Sequence, residues 1–480
     1  MPSPTLSATH SVARNTFYLS LAQGIRMLVG FGLILAIANG FGVGWQGKFS
    51  ILLAFLNVFQ VLASLGLPRL IIREVARQPE ESNRYFWAGL LGQGIGTVVM
   101  ALAMMAVVAV MPYPADTKAM LTLAIVALPV FTVYSVAAAL LRAREQMHYL
   151  LYAEVLSSLA QIALAVTVLL RWQSVMALAL IRVGGLGMAA GLVVIAARRL
   201  DLWGKPLLDG RFTGRLLRRS ASFFGMGGLD ALLQRMDVLI LSVVAGEAAA
   251  GLYDAAFQLI KVIMTLVMAF TDALYPVLSR LFVQARARFS LAVGKALHYG
   301  LVILLPTAAG MSVLSPQLIG LLYRRPEYAA AAPVLAVAAW AMVAYFLQMV
   351  LTRALLAGNR ARGALAATGL MITVGAPAIA AGSRWFGAVG AAASLGVMYG
   401  VGSLLAWRAS RDWEPAFGFS SLVRSALAAG LMAAFLAFVP TWPLALLLPL
   451  GAGLYLVLAL SLGALARQDL RLWRILWGHR

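Results

Sequence analysis

Residues 251–279 read GLYDAAFQLIKVIMTLVMAFTDALYPVLS. The stretch is long and apolar enough to cross a bilayer as a single helix, which takes about 20 residues. Its polar side chains follow a pattern. At ~100° per residue, Asp254, Gln258, Lys261, Thr265 and Asp272 fall within about 60° of one another. A charge at mid-membrane costs roughly 2.5–3.5 kcal/mol on insertion scales, so such residues face a partner or water. One stripe running along about 27 Å of helix predicts the wall of a water-filled path, and a polar seam between two helices is the alternative reading.

The rest of the chain has the same character. It has 480 residues, 62% hydrophobic and only 11% charged, where a soluble domain is about 45–50% apolar and about 25% charged. A water-soluble fold, a disordered chain and a secreted disulfide scaffold are excluded. There is no cysteine, and the four histidines are too scattered to suggest a metal site. Walking outward from 251–279, further spans are expected at 15–39, 49–72, 85–110, 119–141, 150–170, 174–197, 220–245, 296–322, 329–352, 363–382, 388–407, 422–440 and 444–465. The expected fold is an all-α polytopic membrane protein with about 14 transmembrane helices, within a range of 12–14. No cleavable leader is visible in residues 1–14, and the first span is expected to act as its own insertion signal.

Net charge is +21, which in a soluble protein would suggest nucleic acid. Here most of it falls in short loops and sets topology, so no nucleic-acid partner is expected. With both termini inside, the outer segments hold Lys48, Lys118, Arg171, Arg324, Arg325 and Arg384, and the spans hold Arg26, Arg182, Arg235 and Lys261. The other 28 of the 38 basic residues lie inside. This excess predicts a multi-pass membrane protein with both termini in the cytoplasm. The domain map is residues 1–197 as a six-helix bundle, 198–219 as a basic cytoplasmic connector, 220–407 as a second six-helix bundle, and 408–480 as an extra helix pair with a tail. Residues 466–480 read as an amphipathic surface helix or a frayed charged end.

The two halves echo each other. Gly42-x4-Gly47 and Gly246-x4-Gly251 both follow the first helix of a half. Pro68 with Arg73 and Pro276 with Arg280 end the next helix. Leu140-Leu141-Arg-Ala-Arg aligns with Leu355-Leu356-Ala-Gly-Asn-Arg at the end of the fourth. Six spans per unit give copies of the same orientation, a parallel repeat related by a pseudo-two-fold axis along the membrane normal. Gly42-Val-Gly44-Trp-Gln-Gly47 also fits GxGxxG and nearly a P-loop, but a membrane helix flanks it on each side and Phe49 stands where Ser or Thr must bind magnesium. A tight turn is the better reading. No cofactor and no direct ATP drive are expected. Gly92/Gly96, Gly187/Gly191 and Gly396/Gly400 are read as packing contacts, and Pro129, Pro306, Pro333 and Pro377 as kinks.

Other charged residues also fall at membrane depth. The seventh span carries Asp230, Gln234 and Asp237 on one stripe with Arg235 beside it. Asp237 and Lys261 flank a short connection at similar depth, which predicts a Lys261–Asp237 pair. Arg26 lies mid-span in the first helix, Asn57 and Gln60 in the second, Glu154, Ser158 and Gln161 in the fifth, and Arg182 in the sixth, off any recognisable stripe. Arg26, Arg182, Arg235, Lys261 and Gln258 are the candidates for holding an anionic headgroup, a role that suits guanidinium groups in particular. Asp230, Asp237, Asp254 and Asp272 are candidates for ion coupling or charge pairing. For each of these residues a structural ion pair is the competing role.

Three stretches resemble a known family. GEAAAGLYDAAFQLIKVIMTLVMAFTDALYPVLSRLF (246–282), ASLGLPRLIIREVAR (63–77) and LLRAREQMHYLLYAEV (140–155) are similar to segments of polysaccharide or O-antigen flippases of the multidrug/oligosaccharidyl-lipid/polysaccharide exporter superfamily. The resemblance implies two six-helix bundles forming a V around a cavity. It implies alternating-access transfer of a polyprenyl-pyrophosphate-linked oligosaccharide to the outer leaflet, coupled to H+ or Na+. It also implies membrane lipids and glycan polymerase machinery as partners, and Arg26, Arg235 and Lys261 as the cationic lumen residues. The Ser-Arg and Arg-Asp pattern of the lipid II flippase is missing from 15–39, as is the first-helix acid of drug antiporters. A lipid II flippase and a cation-coupled multidrug exporter stand as alternatives. A membrane glycan polymerase or glycosyltransferase is disfavoured, because no outer loop exceeds about ten residues on this map and such an enzyme needs a sizeable one. The chain is therefore expected not to be an enzyme.

Overall fold

The computed structural model describes residues 4–171, 174–413, 419–440 and 442–465, with backbone alone for 4–16, 169, 170, 226 and 419. The amphipathic tail expected at 466–480 lies outside the described residues. The structure is all-helical, with no strands among the described residues. In chain order the helices are α1 (Pro4–Phe41), α2 (Val43–Ala63), α3 (Leu67–Arg77), α4 (Ser82–Val110), α5 (Ala115–Ala143), α6 (Met147–Arg171), α7 (Val175–Arg199), α8 (Gly210–Leu233), α9 (Met236–Gln284), α10 (Arg286–Val313), α11 (Ser315–Leu322), α12 (Ala332–Ala357), α13 (Ala361–Ala409), α14 (Phe419–Phe438) and α15 (Leu444–Ser461). Among the described residues, twelve helices are long and apolar enough to cross a membrane. The protein is a multi-pass membrane protein.

Two of the twelve bend at a glycine. α13 turns at Gly387 (φ 56°, ψ −134°), between the spans expected at 363–382 and 388–407. α9 turns at Gly246. Its first ten residues continue from α8, which is too charged at its start to count as a span by hydropathy. Divided in this way, the helices are compatible with about fourteen crossings, within the expected range of 12–14.

Contacts group the chain into two units, Met1–Val243 and Val244–Arg480. The division falls inside the expected seventh span, because α8 packs on α2, α3 and α4. The core of the first unit gathers Leu67, Leu70 and Ile71 of α3, Tyr85 and Phe86 of α4, Val136–Leu141 of α5, Ala153 of α6 and Val193 of α7, all buried. Part of the connector is fastened to it. Trp203 stacks on Phe86 at 4.1 Å between ring centroids. Gly204 N donates to Asn83 Oδ1 at 2.8 Å, and Arg84 meets Asp209 at 3.1 Å. In the second unit α10 packs on α12, where Phe346 closes so tightly over Gly300 that a Cβ there would lie 1.9 Å from its ring.

The repeat reaches the backbone. Gly42 has φ 91°, ψ −176° and Gly246 has φ 86°, ψ 179°. This region is open essentially to glycine alone, so both copies require glycine at the same turn. The second pair of matching ends agrees as well, in a shifted register. α5 ends with Glu145 left-handed (φ 56°) and Gln146 N bonded to Leu141 O at 2.8 Å; α12 ends with Asn359 left-handed (φ 58°) and Arg360 N bonded to Leu355 O at 2.8 Å. Both are Schellman closures, in which the amide beyond the cap reaches back five residues. They pair Leu141 with Leu355, one residue from the alignment that like residues suggest.

Three further expectations are corrected. The span expected at 49–72 ends at Ala63. Leu65 (φ 51°) and Gly66 (φ 71°) turn the chain, and Pro68 starts a separate amphipathic helix, α3. Gly66 also admits the backbone of α8, since a Cβ there would lie 2.5 Å from Phe224 N. Pro333 lies in the first turn of α12, where proline fits without a kink, whereas Pro129, Pro306 and Pro377 are inside their helices. Gly92 and Gly96 sit under close contacts with Leu67 and Ala63, and Gly396 touches Ala341, but a Cβ at Gly187, Gly191 or Gly400 would meet open space.

Candidate functional site

The first unit holds a polar cavity of about 250 Å³. Its charged and polar lining comes from six elements: Arg26 of α1, Asn57 and Gln60 of α2, Tyr134 of α5, Glu154, Ser157 and Gln161 of α6, Arg182 of α7, and Arg235 from the break between α8 and α9. Three arginines against one carboxylate make the lining net cationic.

Each arginine is positioned differently. Arg26 Nη2 meets Glu154 Oε2 at 2.5 Å; the arginine side chain keeps 42% of its exposure and the glutamate 10%. Arg182 Nη1 donates to Gln161 Oε1 at 3.2 Å. Gln161 Nε2 in turn donates to Ser157 O at 3.2 Å, so the amide is tied at both ends. Gly185 makes room for it, because a Cβ there would lie 2.3 Å from Gln161 Cδ. Arg235 sits where α8 has ended and α9 has not begun. The turn is closed by Arg235 N to Leu232 O at 3.1 Å, and the Asp237 carboxylate accepts from Val238 N at 2.7 Å in the first turn of α9. Gln234 Nε2 donates to Asp230 Oδ2 at 3.0 Å. Interrupted backbone at membrane depth is tolerated where it lines a cavity, and Arg235 lies at that interruption. Neither Arg182 nor Arg235 has a carboxylate at salt-bridge distance among the described residues.

The stripe on α9 belongs to the second unit. Lys261 Nζ meets Asp254 Oδ1 at 2.7 Å, and Gln258 Nε2 donates to Asp254 Oδ2 at 2.9 Å. Lys261 therefore pairs along its own helix, at i and i+7, a partner that the expected Lys261–Asp237 pair did not foresee. The geometry favours this pair because two helical turns bring the two residues onto one face while the lysine stem spans the rise. Asp272 pairs with Arg353 of α12 at 2.5 Å. Thus Arg26, Arg182 and Arg235 come together in one cavity. Lys261, Gln258 and Asp254 form a second cluster. Asp230 and Asp237 serve the α8–α9 break, and Asp272 holds α9 to α12.

Arg182 was among the candidates, but it lies off any stripe of its own helix, and its setting follows from Gln161 and Gly185 on two different helices. Sequence reading missed one lining residue of this site. Tyr134 is one aromatic residue among many in an apolar span, with nothing in its local pattern to single it out. Glu154 and Gln161 were legible as a polar face, although Ser157 lines the cavity and Ser158 does not.

The family model described as polysaccharide biosynthesis protein matches residues 12–282, more than half of the chain and all of the cavity. The chain belongs to the polysaccharide biosynthesis protein family. None of the curated proteins matches. Solved structures similar to this family member include lipid II flippase MurJ in an inward closed conformation, at TM-score 0.75 and 12% identity, covering 94% of this chain and 99% of that one. A second is an inward-facing multidrug resistance MATE family transporter of the MOP superfamily, at TM-score 0.66 and 15% identity, covering 83% and 97%. A third is a MOP superfamily transporter from Pyrococcus furiosus whose title reports a binding pocket of reverse polarity, at TM-score 0.56 and 14% identity, covering 84% and 95%. At these identities the likeness establishes the fold, that of MOP-superfamily flippases and transporters.

Proposed function

We propose that the protein is a flippase that moves a polyprenyl-pyrophosphate-linked oligosaccharide from the inner to the outer leaflet of the bacterial cytoplasmic membrane by alternating access, for surface polysaccharide biosynthesis. The single observation carrying this reading is the cavity in which Arg26, Arg182 and Arg235 face one glutamate. A pyrophosphate presents several anionic oxygens, and guanidinium groups match them with paired, charge-assisted hydrogen bonds. Family membership supports a glycan cargo. Both termini are assigned to the cytoplasm on the excess of basic residues in alternate loops. The proposed role is transport without covalent chemistry, with H+ or Na+ as the driving ion and a glycan polymerase downstream. Arg26, Arg182 and Arg235 are proposed to hold the headgroup, while Lys261 and Gln258 form a second polar station on α9.

A cation-coupled multidrug exporter is less well supported. Asp254 and Asp272 are committed to Lys261 and Arg353, which leaves these carboxylates poorly suited to capture a cationic drug. A lipid II flippase would share the pyrophosphate chemistry and differ in its sugars.

Proteoliposomes test the reading. Protein reconstituted with a fluorescent polyprenyl-pyrophosphate glycan is expected to move it between leaflets, and the Arg26→Ala/Arg182→Ala double variant to do so at least about tenfold more slowly, the loss expected for removing charge-assisted contacts worth more than 1.4 kcal/mol. Equal rates for folded double variant and wild type would refute the headgroup assignment.

A further inference from the structure

Among the described residues, one acidic residue lines the cavity, and it already occupies an arginine. Glu154 lies within 2.5 Å of Arg26, bridging α6 to α1. The glutamate side chain is largely sheltered, while the arginine side chain keeps much of its exposure. The other charged or titratable groups in the lining are Arg182 on α7, Arg235 at the α8–α9 break and Tyr134 on α5. The carboxylate thus stands in the cavity as a small anion among three cations.

We propose that Glu154 is a built-in counter-anion that holds Arg26 when the cavity is empty and is displaced from it when a pyrophosphate headgroup binds. This inference rests on the headgroup reading above. A guanidinium has five N–H donors on a planar fork, and a diphosphate group satisfies more of them than one carboxylate does. The headgroup therefore wins Arg26, and the carboxylate is left facing an anion across a confined space. That repulsion opposes retention of the cargo. It gives the carrier a way to bind a strongly anionic headgroup without trapping it, and it closes the site around Arg26 again after release. Removing the charge while keeping the shape should convert a carrier that releases its cargo into one that holds it.

The test uses purified full-length protein in detergent, with farnesyl pyrophosphate as probe and farnesol as its uncharged control. Wild type is expected to bind the pyrophosphate in preference to farnesol. Glu154→Gln is expected to bind the pyrophosphate on the order of tenfold more tightly, the effect of removing one like charge at close range, with farnesol binding unchanged. In proteoliposomes the same variant should flip a lipid-linked pyrophosphate more slowly because release has slowed. Glu154→Gln that is folded and binds the pyrophosphate no more tightly than wild type overturns the counter-anion role alone. Wild type that does not prefer the pyrophosphate to farnesol overturns the headgroup reading and the inference with it. If the variant does not fold, infrared difference spectra of wild type on addition of the probe decide the matter. A shift in a carboxylate stretching band that is altered in Glu154→Asp supports displacement, and a carboxylate region that does not change overturns it.

Discussion

Gly185→Ala isolates the seat of Arg182. The three atoms nearest to a Cβ at this position all belong to Gln161, at 2.3, 2.5 and 2.6 Å. Real Cβ atoms do not approach so closely, and the near atoms are the far end of a flexible side chain. Gln161 is therefore expected to swing away, losing its bonds to Arg182 and Ser157. A hydrogen bond to a charged group is worth about 1.5–3 kcal/mol and a strained rotamer costs about 0.5–1.5 kcal/mol. Against this, alanine in a helix interior gains about 0.5–1 kcal/mol over glycine. The net expectation is a loss of about 1–4 kcal/mol. In a Gln161→Ala background the obstacle is gone and only the helix gain remains, so the sign should reverse. A double-mutant cycle on unfolding in detergent measures this directly, and headgroup binding should fall in Gly185→Ala with stability. Equal destabilisation by Gly185→Ala in both backgrounds would refute the assignment of Gln161 as the residue that the glycine accommodates.

Two further outcomes follow from particular residues. Gly246→Ala meets no atom within 4 Å, so its whole cost is the backbone at φ 86°, about 1–3 kcal/mol; Gly187→Ala, with equal space and no such φ, should be neutral or slightly stabilising in the same unfolding assay. At the connector, the Phe212 amide and then Arg84 hold the Asp209 carboxyl below its usual range. Its contribution is therefore present above about pH 4, the ordinary aspartate value, and is lost as pH falls through the depressed folded value. Hydrogen exchange at residues 210–214 is expected to rise in acid over that window and to become pH-independent in Asp209→Asn after correction for intrinsic rates.

What could be read from the chain follows what membranes penalise. Span positions were legible because every apolar run must satisfy its own backbone in lipid. The glycine turns were legible as a spacing, and Gly42 and Gly246 share a conformation that other residues avoid. Arg26 and Arg235 could be found because a charge at membrane depth needs a reason. The end of α2 was missed because Leu65 carries a left-handed φ that no composition rule assigns to leucine. The Lys261–Asp254 pair was not foreseen because depth alone does not single out a residue two turns away on the same helix. Arg182 could be named as a charge at membrane depth, but its setting needed Gln161 and Gly185, residues on two helices whose juxtaposition is tertiary.

The proposed function is carriage of a lipid-linked glycan across the membrane. The most direct measurement is mass spectrometry of inner-membrane lipids after depletion of the protein, combined with a leaflet-protection assay. The expected result is accumulation of a polyprenyl-pyrophosphate oligosaccharide confined to the inner leaflet, with its sugars read in the same spectrum. Unchanged lipid-linked glycans and unchanged surface polysaccharide would contradict the claim, as would accumulation in the outer leaflet.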